Sequence, residues 1–170
     1  MLMQRVTGSS RVQLLTRDTD ALTAGQLDHW NTLLDRRMSG EPMAYILGER
    51  EFYGRVFQVT PAVLIPRPET ELLVETVMQY LPQGGRVWDV GTGSGIIAIT
   101  TALERSDAQV HASDISAEAL DIARNNTGRL GAQVAFHLGS WYAVEPSQNE
   151  LVDVLVSNPP YIHKDDGHLQ

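Results

Sequence analysis

Apolar residues change their spacing twice along this 170-residue chain. Between residues 23 and 40, Leu27, Trp30, Leu34 and Met38 recur at three- and four-residue steps, behind a Thr23/Gln26 capping box and ahead of Gly40. That pattern predicts an amphipathic helix whose stripe must pack on something. Pro42 at a first helical position and Gly48 after Leu47 predict a second, short helix over 42–47. The period then drops to two: residues 51–59 alternate about Gly54 and predict a β-hairpin. Pro61, Pro66 and Pro68 bracket an extended connector. Pro68 can open a helix running through Leu72, Leu73, Val74, Val77, Met78 and Leu81, with Pro82 and Gly84-Gly85 to end it. The expected organisation is a small helical region over 1–48, a hairpin linker over 49–60 and a larger domain over 61–170, with the main boundary near Pro61.

Beyond Gly85 short apolar runs alternate with helical periods. The reading is strand 86–90, helix 94–103, strand 108–114, helix 117–130, strand 133–138 and strand 151–157. A βαβαβ…β order of this kind predicts an α/β fold with a parallel sheet wound by helices.

Composition narrows the chemistry. Thirteen Lys plus Arg stand against 21 Asp plus Glu, a net charge of −8, which disfavours wrapping a phosphate backbone. Lys164 is the single lysine among those cations, which removes a P-loop or kinase lysine and most Schiff-base chemistry. The absence of Cys excludes disulfides, a thiolate nucleophile and a zinc ribbon, and suits a reducing cytoplasm. No targeting segment stands out, and the most apolar run, 93–103, falls far short of the ~20 residues that cross a bilayer.

Open α/β sheets bind ligands beyond the carboxyl ends of their strands. The first such end reads Asp89-Val90-Gly91-Thr92-Gly93-Ser94-Gly95, a loop that can turn tightly and bring a ligand close to backbone amides. Its third glycine comes too early for a dinucleotide fingerprint, and a plain tight turn is the alternative reading. Asp114 closes the second strand near the ~20-residue offset at which a carboxylate meets a ribose diol, although Asp114 or Ser116 could simply cap the next helix. The third strand ends in Gly139-Ser140-Trp141-Tyr142, where Trp141 could flank a base or belong to the core. The fourth ends in Asn158-Pro159-Pro160-Tyr161. There the Asn amide oxygen and the carbonyls beside two prolines could hold an NH2 group and aim its nitrogen, with Tyr161 stacking on the planar group that carries it. An amide nitrogen is a poor nucleophile, so orientation and electrostatic stabilisation are what a protein can supply for its attack on an electrophilic carbon.

Together, Asp89 to Gly95, Asp114 and Asn158-Pro159-Pro160-Tyr161 resemble a class I S-adenosylmethionine-dependent methyltransferase, a Rossmann-like fold, acting on a planar nitrogen. The upstream stretches Gly40-Glu41-Pro42-Met43-Ala44-Tyr45-Ile46-Leu47-Gly48, Glu51-Phe52-Tyr53-Gly54 and Leu64-Ile65-Pro66-Arg67-Pro68-Glu69-Thr70-Glu71 narrow the likeness. They are similar to the peptide chain release factor glutamine methyltransferases, the HemK/PrmC family. The resemblance implies that Gly91, Thr92, Gly93, Ser94 and Gly95 line the methionine part of the cofactor, that Asp114 binds its ribose and that Trp141 flanks its adenine. It implies further that Asn158 and Pro159 hold the glutamine amide of a release factor's Gly-Gly-Gln loop, that Pro160 and Tyr161 shape the pocket, and that Arg67, Thr70 and Glu71 help close it. The catalytic assignments are thus Asn158, Pro159 and Tyr161, in a cytoplasmic, monomeric enzyme with a protein substrate and no metal, membrane or direct nucleic-acid partner.

Three departures qualify the likeness. Ser140 stands where the family usually has Asp, which weakens a hydrogen bond to adenine. The chain begins partway into the family's helical region and stops at Gln170, after four of its strands, so a fragment with weak cofactor binding and poor turnover is expected. The competing functions are a nucleic-acid amino methyltransferase (adenine N6 or guanine N2), which should show a basic groove, and a non-catalytic fragment that binds cofactor or release factor. His163, Asp165, Asp166 and His168 are residue types that ligate metals, but a solvated loop is the expected reading, and His29, His111 and His137 are expected on element surfaces.

Overall fold

The computed structural model describes residues 1–16, 19–140 and 151–159. They fall into two compact units, Met1–Glu49 and Arg50–Gln170.

The first unit is helical: α1 (Leu2–Thr7), α2 (Arg11–Thr16), α3 (Ala24–Met38) and α4 (Met43–Leu47). The capping box starts α3 as expected. The Thr23 N–H donates to Gln26 Oε1 at 3.0 Å and the Gln26 N–H to Thr23 Oγ1 at 3.3 Å, satisfying two donors that a helix start leaves orphaned. Its inward face differs from the expected stripe. Leu33 is buried with Val6 and Ile46, with Leu2 and Trp30 against them, while Leu27 (49 % exposed) and Met38 (76 %) face outward. Leu33 and Leu34 are neighbours, and the turn of the helix is decided by what α1 and α4 offer it. Pro42 is the N-cap of α4 rather than its first residue, and Gly48 ends α4 in the left-handed conformation. Arg36 grips the following turn, pairing its Nε with Glu41 Oε2 at 2.7 Å.

The second unit opens with the hairpin, β1 (Glu49–Phe52) and β2 (Arg55–Gln58). Its turn places Tyr53 at φ 50°, in the left-handed region that L-residues seldom occupy, and the Tyr53 N–H donates to Glu71 Oε1 at 2.8 Å. Phe52 and Phe57 point into the core, edge to face, with ring centroids 6.1 Å apart. The helix expected from Pro68 divides into a 3₁₀ turn (Pro68–Thr70) followed by α5 (Glu71–Tyr80). Then come β3 (Arg86–Val90), α6 (Ile96–Glu104), β4 (Gln109–Asp114), α7 (Ala117–Leu130), β5 (Ala135–Leu138) and β6 (Val154–Ser157).

These four strands form one parallel sheet in the order β5-β4-β3-β6, as the α/β reading expects. The chain winds one way from β3 through β4 to β5 and returns to the other side of β3 with β6. The carboxyl end of β3 therefore lies at the point where strand order reverses. β3 is buried on both faces, with Val87 and Val90 sealed by neighbours, as a central parallel strand should be. Among the described residues β6 is an edge of the sheet. His111 and His137 are half-buried and stacked at 5.4 Å, Nδ1 to Nε2 3.1 Å, beside Trp88, because neighbouring parallel strands bring them onto one face.

Candidate active site

β3 runs directly into the glycine loop. Gly91, Gly93 and Gly95 take φ of 72°, 56° and 84°, conformations that any other residue would adopt only with strain. The loop is held from below. The Gly91 and Thr92 N–H groups donate to the Ser113 carbonyl at 2.8 and 3.0 Å, and the Gly93 N–H donates to Asp114 Oδ2 at 2.9 Å. A Cβ added at Gly91 or Gly93 would meet nothing within 4 Å, whereas one at Gly95 would come 2.7 Å from Ile99 Cδ1 and 3.2 Å from Ala123 Cβ. The first two glycines therefore border open space, and the third is where α6 and α7 close on the loop.

The back of the loop is tied to α7 and to the hairpin by one side chain. Asn126 is fully buried. Its Nδ2 donates to the carbonyls of Ser94 (2.9 Å) and Gln58 (3.0 Å), and its Oδ1 accepts the Gln58 N–H at 2.7 Å.

Asp114 serves the loop and the next helix together: Oδ2 takes Gly93, Oδ1 takes the Ser116 N–H at 3.0 Å, and Ser116 Oγ then caps α7 by accepting the Ala119 N–H at 3.1 Å. The capping alternative for Asp114 thus coexists with its place beside the glycine loop.

Asp89, whose role sequence reasoning missed, is the most perturbed acid of the site. It is 1 % exposed; Oδ2 accepts from Thr92 Oγ1 (2.7 Å) and the Ala98 N–H (3.3 Å), while Oδ1 has no hydrogen-bond partner. Burial raises its pKa to about 6, opposed by those two hydrogen bonds and reinforced weakly by the Asp114 charge. A carboxylate at the end of a central strand was the available signal, but its orphaned oxygen depends on the packing of α6.

Beyond β6, Asn158 Nδ2 donates to Thr70 Oγ1 at 3.1 Å, and Ser157 Oγ donates to the Val90 carbonyl at 2.7 Å, joining the ends of β6 and β3. A cleft above these strand ends is lined by Asp89, Gly91 to Ser94, Ile96, Ile97, Asn158 and the connector residues Leu64, Ile65 and Pro66. It brings together two of the expected constellations, the glycine loop and the Asn158 turn, and adds Asp89. Gly95 and Asp114 stand behind the loop rather than in the cleft lining. Pro159 follows Asn158 and is half-buried, and Ser140 is exposed after β5. Trp141, Pro160, Tyr161 and the His163/Asp165/Asp166/His168 cluster lie outside the described residues. No helix among the described residues is long and apolar enough to cross a membrane.

A parallel sheet with a glycine loop at its switch point, and an Asn-Pro turn on the neighbouring strand, defines a methyltransferase-like class. The chain belongs to the Methyltransferase small domain family, whose sequence model matches residues 68–169; the PrmC N-terminal domain matches residues 1–48. The resemblance read from the motifs is borne out by similarity to release factor glutamine methyltransferases. That of Neisseria gonorrhoeae is 56 % identical over 99 % of this chain and 62 % of its own length, and that of Escherichia coli 41 % identical over 100 % and 61 %. The chain thus spans just over three fifths of the curated relatives it matches. Its fold is similar to that of a Pyrococcus abyssi tRNA (uracil-54, C5)-methyltransferase crystallised with S-adenosyl-L-homocysteine (TM-score 0.54, 18 % identity, 66 % of this chain and 27 % of that one). A methyltransferase from Pyrococcus furiosus shares it too (TM-score 0.53, 20 % identity, 77 % and 63 %).

Proposed function

We propose that this chain carries the S-adenosylmethionine site and the amide-holding turn of an enzyme that methylates the side-chain nitrogen (N5) of the glutamine in the Gly-Gly-Gln motif of peptide chain release factors. The observation that carries the reading is the single cleft shared by the glycine loop, the orphaned Asp89 oxygen and Asn158. The names of the relatives supply the substrate class.

The residues fit the cofactor. An unpartnered buried carboxylate oxygen suits a cationic group, and S-adenosylmethionine is cationic at its ammonium and its sulfonium. The outward space at Gly91 and Gly93 lets a ligand lie against the backbone of the loop. In this reading Gly91, Thr92, Gly93, Ser94 and Gly95 bound the methionine part, Asp114 receives the ribose and Trp141 the adenine. When bound, S-adenosylmethionine supplies an electrophilic methyl carbon, which the amide nitrogen takes as the carbon–sulfur bond breaks and an N–H proton leaves to water. The chain's own work is to orient. Asn158 Nδ2 is turned to Thr70, and the acceptors proposed for the substrate NH2 are the Asn158 amide oxygen and the Pro159 carbonyl. Two acceptors on one NH2 group aim its nitrogen and stabilise the positive charge that develops on it. Pro160 and Tyr161 shape the pocket, and Arg67, Thr70 and Glu71 close it.

In the same proposal, residues 1–48 form a substrate-docking region, 49–60 the linker and 61–170 the catalytic part. The enzyme acts as a cytoplasmic monomer on a protein, without direct nucleic-acid or membrane contact. Titration calorimetry with S-adenosylmethionine and S-adenosylhomocysteine tests the cofactor half: saturable binding that is lost in Asp114→Ala is expected, and no binding to folded protein overturns it. Methyl transfer to a release factor tests the other half. Asn158→Ala should abolish it while S-adenosylhomocysteine still binds.

A further inference from the structure

Asn126 is assigned no part by any motif, yet it is where three elements meet. We infer that Asn126 is a positioning residue of the cofactor site, which fixes the glycine loop by keying it to the end of the hairpin. The inference rests on the cofactor reading above and extends it to a residue 32 positions from the loop it serves.

The Ser94 carbonyl is buried at the exit of the glycine loop and takes one Asn126 Nδ2 hydrogen; the other goes to the Gln58 carbonyl, and Oδ1 takes the Gln58 N–H. A buried carbonyl deprived of its donor keeps its desolvation cost without a bond to offset it, which turning toward water would relieve. Turning Ser94 moves the peptide that joins it to Gly95, a residue already wedged against Ile99 and Ala123 at φ 84°. Ala123 and Asn126 sit one turn apart on α7, so the same helix face sets the loop sterically at Gly95 and by hydrogen bond at Ser94. The Gly91, Thr92 and Gly93 amides are tied to β4, through Ser113 and Asp114, and the Gly95 amide turns back to the Thr92 carbonyl at 2.9 Å. Ser94 is the point at which the loop is held to the hairpin instead. Ligand contacts made by the loop and the placement of β2 are therefore coupled through one amide.

The chemistry suggests a near-isosteric probe. Asn126→Asp keeps an oxygen for the Gln58 N–H and turns the donor end into an acceptor facing two carbonyls. With the full chain, the dissociation constant for S-adenosylhomocysteine should rise at least tenfold at a temperature where circular dichroism shows the variant folded. Val77→Ala, a truncation in the same core away from the loop, should lower the melting temperature and leave that constant within twofold. Hydrogen exchange gives a readout independent of ligand: protection at the Gly91 to Gly95 amides and at Gln58 should fall together in Asn126→Asp. If that variant does not fold, Asn126→Ser, which keeps one donor and adds no charge, carries the same comparison. A wild-type constant in the Asn126 variant, or unchanged exchange at Gly91 to Gly95, overturns the inference. If the wild-type protein itself fails to bind S-adenosylhomocysteine, the cofactor reading falls, and the exchange result alone decides whether Asn126 sets the loop.

Discussion

The two units of this chain solve the same problem, burying apolar surface, with unequal means. The second unit has a parallel sheet to build on. Phe52, Phe57, Val74, Val87 and Ile99 are almost wholly enclosed, and the site residues stand at the ends of strands whose register leaves them no latitude. The first unit has three buried side chains in its cluster, Val6, Leu33 and Ile46, and leaves Val12, Leu15, Leu27 and Met38 exposed. Small helical units bury a lower fraction of their surface and are correspondingly marginal. The difference teaches that chemical precision in this molecule belongs to the sheet, while the helices offer surface.

The largest effect should come from the better-packed side. Ile99→Ala removes a side chain with no exposed area that also touches the glycine loop, and a loss of about 2–5 kcal/mol is expected in denaturant unfolding. Leu33→Ala should raise hydrogen exchange across 1–49 with little change across the sheet; equal loss of protection in both units would break the comparison.

A second test uses pH. The folded Asp89 pKa of about 6 lies above the ordinary 3.8, so between these values the native state binds more protons than the unfolded one. Stability therefore falls as pH rises from about 4 to 6, by about 3 kcal/mol when the full shift is expressed. Asp89→Asn should flatten that slope in melting temperatures measured across the window. The smallest effect is Thr23→Ala, which deletes one half of the capping box and should lower the stability of α3 by about 1 kcal/mol, seen as faster exchange over its first turn.

Legibility in the sequence followed the same divide. The bounds of β3 and α7 coincide with those read from the pattern, because β3 ends in a glycine loop and α7 lies between the Ser116 cap and a left-handed Gly131. Strands β5 and β6 begin two or three residues later than their apolar runs, since pairing with β4 and β3, rather than propensity, sets where a ladder starts. Helices α1 and α2 escaped the reading. Each is six residues long, too short to display a period. In the site, the glycine loop, Asp114 and Asn158 were visible because each closes a strand. The orphaned oxygen of Asp89 and the part of Asn126 were not, since one depends on burial by α6 and the other reaches 68 residues back to Gln58. No local spacing encodes such a pairing.

The Asn126–Gln58 contact has a meaning apart from catalysis. An amide that gives one hydrogen to a residue's carbonyl and takes its N–H reproduces the pair of bonds that a neighbouring β-strand would make. At Gln58 the backbone of the hairpin is thus already answered by a side chain that imitates a strand one residue long. A backbone N–H and C=O that have both found partners in this way leave nothing at Gln58 for another strand to pair with.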